Sequence, residues 1–229
     1  GKFYGWVYEG IARTQSDIDN HATQQGANVG DCLYKDISGP NGEPDGVIDA
    51  YDQTVLGSGL AKMNFGLSAH MEYKGFDLSI STYGALNYHV ADDIYNSLNS
   101  CYGWGNKDVA MADANRFSED GSTYLSNVPR TYATNNATLA WNDLFSSRKI
   151  QNAAYWKIAN VELGYNFPDR WFKGLVSGVR AYVSAQNLYT FTGYKGYNVD
   201  YAGGTFTPGY NFCSFPSARS FMAGLHFTF

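Results

Sequence analysis

The chain is short of charge, short of cysteine and without a long apolar run. Only 16% of its 229 residues are charged, against about a quarter in ordinary soluble domains. The balance is −5 with no basic stripe, which argues against nucleic acid as a partner. No stretch reaches the roughly 20 apolar residues of a membrane helix, so any passage through a membrane must use strands. The three cysteines, Cys32, Cys101 and Cys213, are an odd count without CxxC or metal-type spacing. They fall in segments that read as loops, and the sequence accommodates either one bridged pair or three thiols. The four histidines, His21, His70, His89 and His226, stand apart, and no HExxH or GxSxG arrangement exists. The chain is therefore not expected to be an enzyme, and a barrel-borne protease or lipase ranks last among its readings. The opening Gly1-Lys-Phe-Tyr-Gly-Trp6 has neither the basic start nor the apolar core of a signal peptide, and no initiator Met. It is expected to be the interior of a longer protein.

What is abundant is aromatic and small. Aromatics make up 17%, with 19 Tyr and 14 Phe, beside 25 Gly. This composition suits a transmembrane β-barrel with aromatic girdles, and it also suits a soluble carbohydrate-binding β-sandwich. Alternation is common to both, and connection lengths separate them. Five segments alternate apolar and polar residues, the mark of strands with one greasy face. In 61–73 the apolar set is Met63, Phe65, Leu67, Ala69, Met71 and Tyr73, and in 75–86 it is Phe76, Leu78, Ile80 and Thr82. In 153–167 it is Tyr155, Ala159, Val161, Leu163, Tyr165 and Phe167, with Lys157 out of place and expected near a strand end where it can snorkel. In 178–187 it is Val179, Ala181, Val183 and Ala185, and in 221–229 it is Phe221, Ala223, Leu225, Phe227 and Phe229.

Connection lengths alternate as well. A tight turn is expected at Lys74-Gly75 and a short one around Pro168-Asp169-Arg170, whereas 1–60, 87–152 and 188–216 read as long loops. Short turns at one end and long loops at the other is the arrangement of outer-membrane barrels, with turns periplasmic and loops extracellular. The expected fold is all-β: about five strands of a large antiparallel transmembrane barrel, occupying the whole of 1–229. Phe65, Leu67, Ile80, Val161, Leu163, Val183, Leu225 and Phe227 are expected to face lipid. Asn64, Glu162, Arg180, Gln186 and His226 are expected to face the interior. Five strands cannot close a barrel, for which about 8 is the practical minimum, so the sheet must be completed by polypeptide outside this chain.

Several runs, in order and spacing, resemble the C-terminal part of the SusC/RagA family of TonB-dependent outer-membrane transporters. They are Tyr4-Gly-Trp-Val-Tyr-Glu-Gly-Ile11, Gly30-Asp-Cys-Leu-Tyr-Lys-Asp36, Asp45-Gly-Val-Ile-Asp49 with Thr54-Val-Leu-Gly57, and Tyr73-Lys-Gly-Phe-Asp-Leu-Ser79. Further along come Trp156-Lys-Ile-Ala-Asn-Val-Glu-Leu-Gly-Tyr-Asn-Phe-Pro168, the long run Arg180 to Tyr197, and Phe215-Pro-Ser-Ala-Arg219 before the terminal Phe. The resemblance implies a barrel of 22 strands with an N-terminal plug, the plug and the earlier strands lying outside this sequence. It further implies a SusD-like surface lipoprotein as partner, contact with the TonB complex, and import of oligosaccharide or peptide across the outer membrane of a Bacteroidetes-like Gram-negative bacterium.

Three sets of residues are candidate sites. Asn41, Glu43, Asp45, Val47, Asp49 and Asp52 fall in register with an EF-hand-like loop, with Gly46 at the sharp turn. No cofactor is required, but a structural calcium ion is a candidate there. The departures are Asn at the first position, Pro44 inside the loop and a closing Asp, and the family's DxNGDG run is stretched after Asp36. Loop aromatics, chiefly Tyr102, Trp104, Trp141, Tyr194, Tyr197 and Tyr201, suit sugar faces, peptide or a protein partner. Phe227 and Phe229, ending an alternating strand, look like the signal that barrel-assembly machinery reads, and the unpaired strand edge supplies backbone affinity by strand addition.

Overall fold

The computed structural model describes all residues except 101–105, 112–114, 120–122, 131–140, 173–175 and 201–202. The chain divides into two compact units. One comprises 61–88, 152–201 and 214–229, the other 1–60, 89–151 and 202–213.

The first unit is a single five-stranded sheet. Its strands are β1 (Met63–Tyr73), β2 (Phe76–Leu86), β3 (Tyr155–Phe167), β4 (Gly178–Thr192) and β5 (Ser220–Thr228). They pair in chain order and all antiparallel, an up-and-down meander. Each expected alternating segment is thus a strand, and β4 runs five residues beyond its expected end at 187. β1 and β2 are joined by Lys74 at φ 48° and Gly75 at φ 87°. Two left-handed residues match the right-handed twist of a hairpin, which is why a glycine stands there. Met63 pairs with Leu86, and Tyr155 pairs with both Ala85 and Thr192. All the long connections therefore leave from one end of the sheet.

Register puts one row of side chains after another onto each face. Ala69, Ile80, Val161, Ala185 and Phe221 are directly cross-paired, as are Met71, Leu78, Leu163, Val183 and Ala223. This face is open to its surroundings: Leu67 is 65% exposed, Phe221 72% and Leu225 62%. Soluble monomers rarely expose contiguous apolar surface on this scale. The β-sandwich reading therefore gives way to a barrel wall with the expected residues together on its apolar face.

Aromatic rows bound that band. At the turn end Tyr73, Phe76, Tyr165 and Phe167 cluster, with Phe76 and Tyr165 ring centroids 4.6 Å apart. At the loop end Trp156 stacks on Phe191 at 5.4 Å, and Phe65 lies over Gly84. A Cβ on Gly84 would fall 2.6 Å from Phe65 Cζ and 2.3 Å from the Tyr155 carbonyl oxygen, so glycine admits both. Phe76 and Gly84 are eight residues apart on β2. At about 3.4 Å per residue and a tilt near 40°, that spans about 21 Å of membrane, close to the roughly 25 Å apolar band of such barrels.

One feature departs from simple alternation. Ser81 pairs with Asn160 but Thr82 with Ile158, and Gln186 pairs with Asn160 but Tyr189 with Ile158. The bulge at Ala159, matched on β4 by Asn187 at φ 53°, shifts the phase of everything toward the loop end. Trp156 and Ile158 consequently share the apolar face, while Tyr155 and Lys157 share the polar one. The expected placement of Tyr155 and Ala159 in the apolar row is corrected by this bulge, which period counting across the break cannot register.

The second unit is built from segments expected to be loops, yet it has its own core. Lys2–Gly5 pairs with Thr54–Ser58, Tyr8–Ile11 with Cys32–Tyr34, and His89–Asp92 runs parallel to Tyr210–Asn211. Cys32, Tyr34 and Ile48 are buried, with Trp6, Tyr8, Ala22, Trp141 and Leu144 packed against them. Cys32 thus lies in a strand and is a buried thiol 3.7 Å from Arg148 Nη1. Cys213 is an exposed thiol, and Cys101 lies outside the described residues.

Candidate functional site

The polar face of the sheet carries the charges that alternation assigns to the barrel interior. Asp77, Gly164, Tyr182 and Gly224 form one cross-strand row, and Ser79, Glu162 and Ser184 the next. Arg180 reaches across Gly164 to Asp77, with Nε 3.0 Å from Asp77 Oδ1 and Nη2 bonded to Asp77 Oδ2. The same Nη2 donates to Glu162 at 2.7 Å, and Asn166 donates to Asp77 at 3.1 Å. Gly164 makes this possible, because a Cβ there would stand 2.5 Å from Asp77 Oδ1. Nearby, His70 lies 2.8 Å from Ser79 Oγ and 3.0 Å from Glu72. These side chains satisfy one another on a face that a barrel keeps wet.

Nearer the loop end the phase shift brings Lys157 inward. It is 3% exposed, and its Nζ lies 2.7 Å from Asp200 Oδ2. Tyr83 donates its hydroxyl to the same oxygen at 2.8 Å. Burial alone would raise the Asp200 pKa, but the hydrogen bonds from Lys157 and Tyr83 hold it below the usual carboxylate range. Lys157 therefore does not snorkel. It pins the segment after β4 to the polar face, and a buried pair of this kind is costly to break from one side. Its role was hidden in the sequence because its partner lies 43 residues away.

The acidic loop of the second unit is ordered by its own backbone. Asp52, wholly buried, accepts from the amides of Ile37 at 2.7 Å, Ser38 at 3.1 Å and Asp49 at 2.8 Å. Burial would raise its pKa, and the three amides, led by that of Asp49, more than offset this and leave it lowered. Asp49 accepts from Tyr51 N and Asp45 from Val47 N, while Asn41, Glu43 and Val47 are exposed. Among the described residues no three His, Cys, Asp or Glu side chains stand together as a metal site. Of the loop's carboxylates, Asp45, Asp49 and Asp52 each accept from a backbone amide close by.

The loop aromatics scatter. Trp141 packs against the second unit's core and donates its indole N–H to Gln25 O at 2.9 Å. Tyr194 is buried in the first unit, whereas Tyr197 is 63% exposed. Tyr102, Trp104 and Tyr201 lie outside the described residues. Phe227 stands in β5 on the apolar face, and Phe229 follows the strand at 91% exposure. An element sequence reasoning missed is the network of Asp31. Its carboxylate, 2% exposed, takes Arg130 Nε at 2.6 Å and Nη2 at 2.8 Å, Asn142 Nδ2 at 2.8 Å and the Asn28 amide at 2.9 Å.

A sheet with one girdled apolar face, one charged face and every long connection at one end is a portion of an outer-membrane-type β-barrel. No family model matches the chain. It is 28% identical over its whole length to TonB-dependent receptor P3 of Formosa agariphila, and covers 22% of that protein. It is 26% identical over 86% of its length to TonB-dependent receptor SusC of Bacteroides thetaiotaomicron, of which it covers 19%. The RagAB peptide transporter superposes over 100% of the chain and 22% of its own, with a TM-score of 0.75 at 22% identity. The RagAB peptide importer in its open-open state gives 0.69 at 20%, over 99% of the chain and 22% of its own. The chain is thus similar to TonB-dependent receptors, SusC among them, and it spans about a fifth of the length of the curated relatives it matches.

Proposed function

We propose that this chain is a wall segment, with its loops, of an outer-membrane importer that takes up large nutrients, oligosaccharide or peptide, at the expense of TonB-coupled energy. The observation that carries the reading is the pairing of an exposed apolar face with an ion-paired, hydrogen-bonded polar face on one sheet. A soluble module has no use for the first, and a purely structural anchor has none for the second. The wall sits in the outer membrane of a Bacteroidetes-like cell with its apolar band in lipid. Its long connections meet a SusD-like surface lipoprotein, and the TonB complex engages parts of the protein beyond this chain. The free edges of β1 and β5 pair with strands of that remainder. The chemistry is transport without a catalytic centre.

The test uses the full-length protein in its own cell. Deleting its gene should abolish growth on the nutrient it serves, removing TonB should do the same, and a tagged transporter should bring down a surface lipoprotein. Growth indifferent to both deletions would overturn import, and a pull-down without a lipoprotein would overturn the partner.

A further inference from the structure

On the polar face, where the segment after β4 returns over the strand ends, lies a cavity of about 210 Å³. Its floor is the Lys157–Asp200 pair, and its walls include Thr190, Tyr197, Asn198, Ser217 and Arg219. The charges in it do not balance. Lys157 and Asp200 neutralise each other, and Tyr83 adds a donor to the same carboxylate. That leaves Arg219, whose side chain makes no hydrogen bond or ion pair among the described residues. Among the described residues no second carboxylate lines the cavity. Thr190, Asn198 and Ser217 likewise have their side-chain donors and acceptors unspent, whereas Asn187 on the rim already donates to Ala218 O at 2.9 Å.

We propose that this cavity is a subsite for a carboxylate carried by the imported molecule, taken by the Arg219 guanidinium with hydroxyl and amide groups around it. The inference rests on the import reading and adds a chemical class to it. A guanidinium offers a planar fork that matches a carboxylate with two parallel hydrogen bonds. Here it does so on the face that lines the barrel interior, in a chain whose overall charge is −5 and which therefore needs a local cation to hold an anion. The buried ion pair beneath it supplies a fixed floor. With Asp200 already neutralised, the incoming anion meets no repulsion from it, and the exposed ring of Tyr197 offers a flat apolar side for the rest of the residue or sugar. The carboxylate has two sources, the C-terminus of a peptide and the acid group of a uronic sugar.

The purified full-length transporter decides between them by calorimetry with four probes. These are a short alanine–serine peptide with a free C-terminus, the same peptide amidated, a galacturonate oligosaccharide, and a neutral galactose oligosaccharide of equal length. Wild type should bind at least one carboxylate probe and prefer it to its neutral counterpart. Arg219→Gln should weaken that probe by about tenfold or more, the worth of a charge-assisted bond, without changing the neutral one. A selective loss for the peptide alone assigns a peptide terminus, and for the uronate alone an acidic sugar. Heat-modifiable migration on gels checks that the variant barrel is folded. If Arg219→Gln fails to assemble, Asn198→Asp places an anion in the same cavity and should produce the same selective loss. Wild type that binds neither carboxylate probe, or variants that bind every probe as wild type does, overturn the subsite. Either result leaves the importer standing if growth still depends on the transporter and TonB.

Discussion

In the loop-built unit the apolar Cys32, Tyr34 and Ile48 are buried, and the charges it buries, Asp31 and Asp52, are held by groups of its own. In the sheet the apolar order is reversed: Leu67, Val183 and Leu225 are exposed, while Asp77 and Lys157 are buried on the opposite face. The two regions share one chain composition and differ in the solvent they are built for. A body in water gains by removing apolar area from it, at roughly 25 cal/mol per Å². A barrel wall gains nothing by hiding leucine from lipid and must keep its charges on the other side. Average hydropathy cannot distinguish these cases, because it does not know which face each residue takes.

The sharpest break in this comparison is expected at Asp31. Replacing it with Ala leaves Arg130 and the Asn142 amide without their shared acceptor. Removing one partner of a buried pair costs about 3–5 kcal/mol. Limited proteolysis of the full-length protein should cut the loop-built unit much faster, while heat-modifiable migration of the barrel stays as in wild type. Loss of both together would mean the two regions do not differ in the way argued.

Next in size is arginine on the two faces of β2. Ile80→Arg, midway between the aromatic rows, should cost roughly 2–4 kcal/mol in lipid vesicles, and Ser81→Arg on the opposite face under about 1 kcal/mol. Denaturant titration of the reconstituted transporter, followed by tryptophan fluorescence, gives both numbers. Equal costs would remove the face assignment.

A smaller effect is expected from Asp52. Its folded pKa is lowered, so its contribution is fully present above the unfolded value of about 4 and fades only as pH falls below that through the folded value. Asp52→Asn removes the charge that three amides hold, at a cost of about 1–3 kcal/mol. It should also flatten the acid limb of the loop unit's stability, measured by proteolysis against pH. An unchanged acid limb would assign that sensitivity to other carboxylates.

The least effect on stability belongs to Phe229, which follows β5 and is 91% exposed. Its deletion should lower the amount of assembled barrel recovered in outer membranes while leaving the melting temperature of inserted barrel nearly unchanged. The opposite result would make Phe229 an interfacial anchor rather than an assembly signal.

By itself the sequence determined the five strands, the Lys74-Gly75 turn, the end from which the long connections leave, and the apolar and polar faces from Val161 toward the turn end. These are local properties: period-two alternation and two-residue turn chemistry are written in neighbouring positions. Tertiary structure alone decided the phase beyond Ala159, because a bulge is a mismatch between two strands and leaves no mark in either one read singly. It decided that Lys157 turns inward to Asp200 and that Trp156 joins Phe191 in the outer aromatic row. It also decided that the long segments fold onto Cys32, Tyr34 and Ile48 instead of remaining loops. In each of these cases the partners are tens of residues apart along the chain, and only pairing and packing bring them within reach.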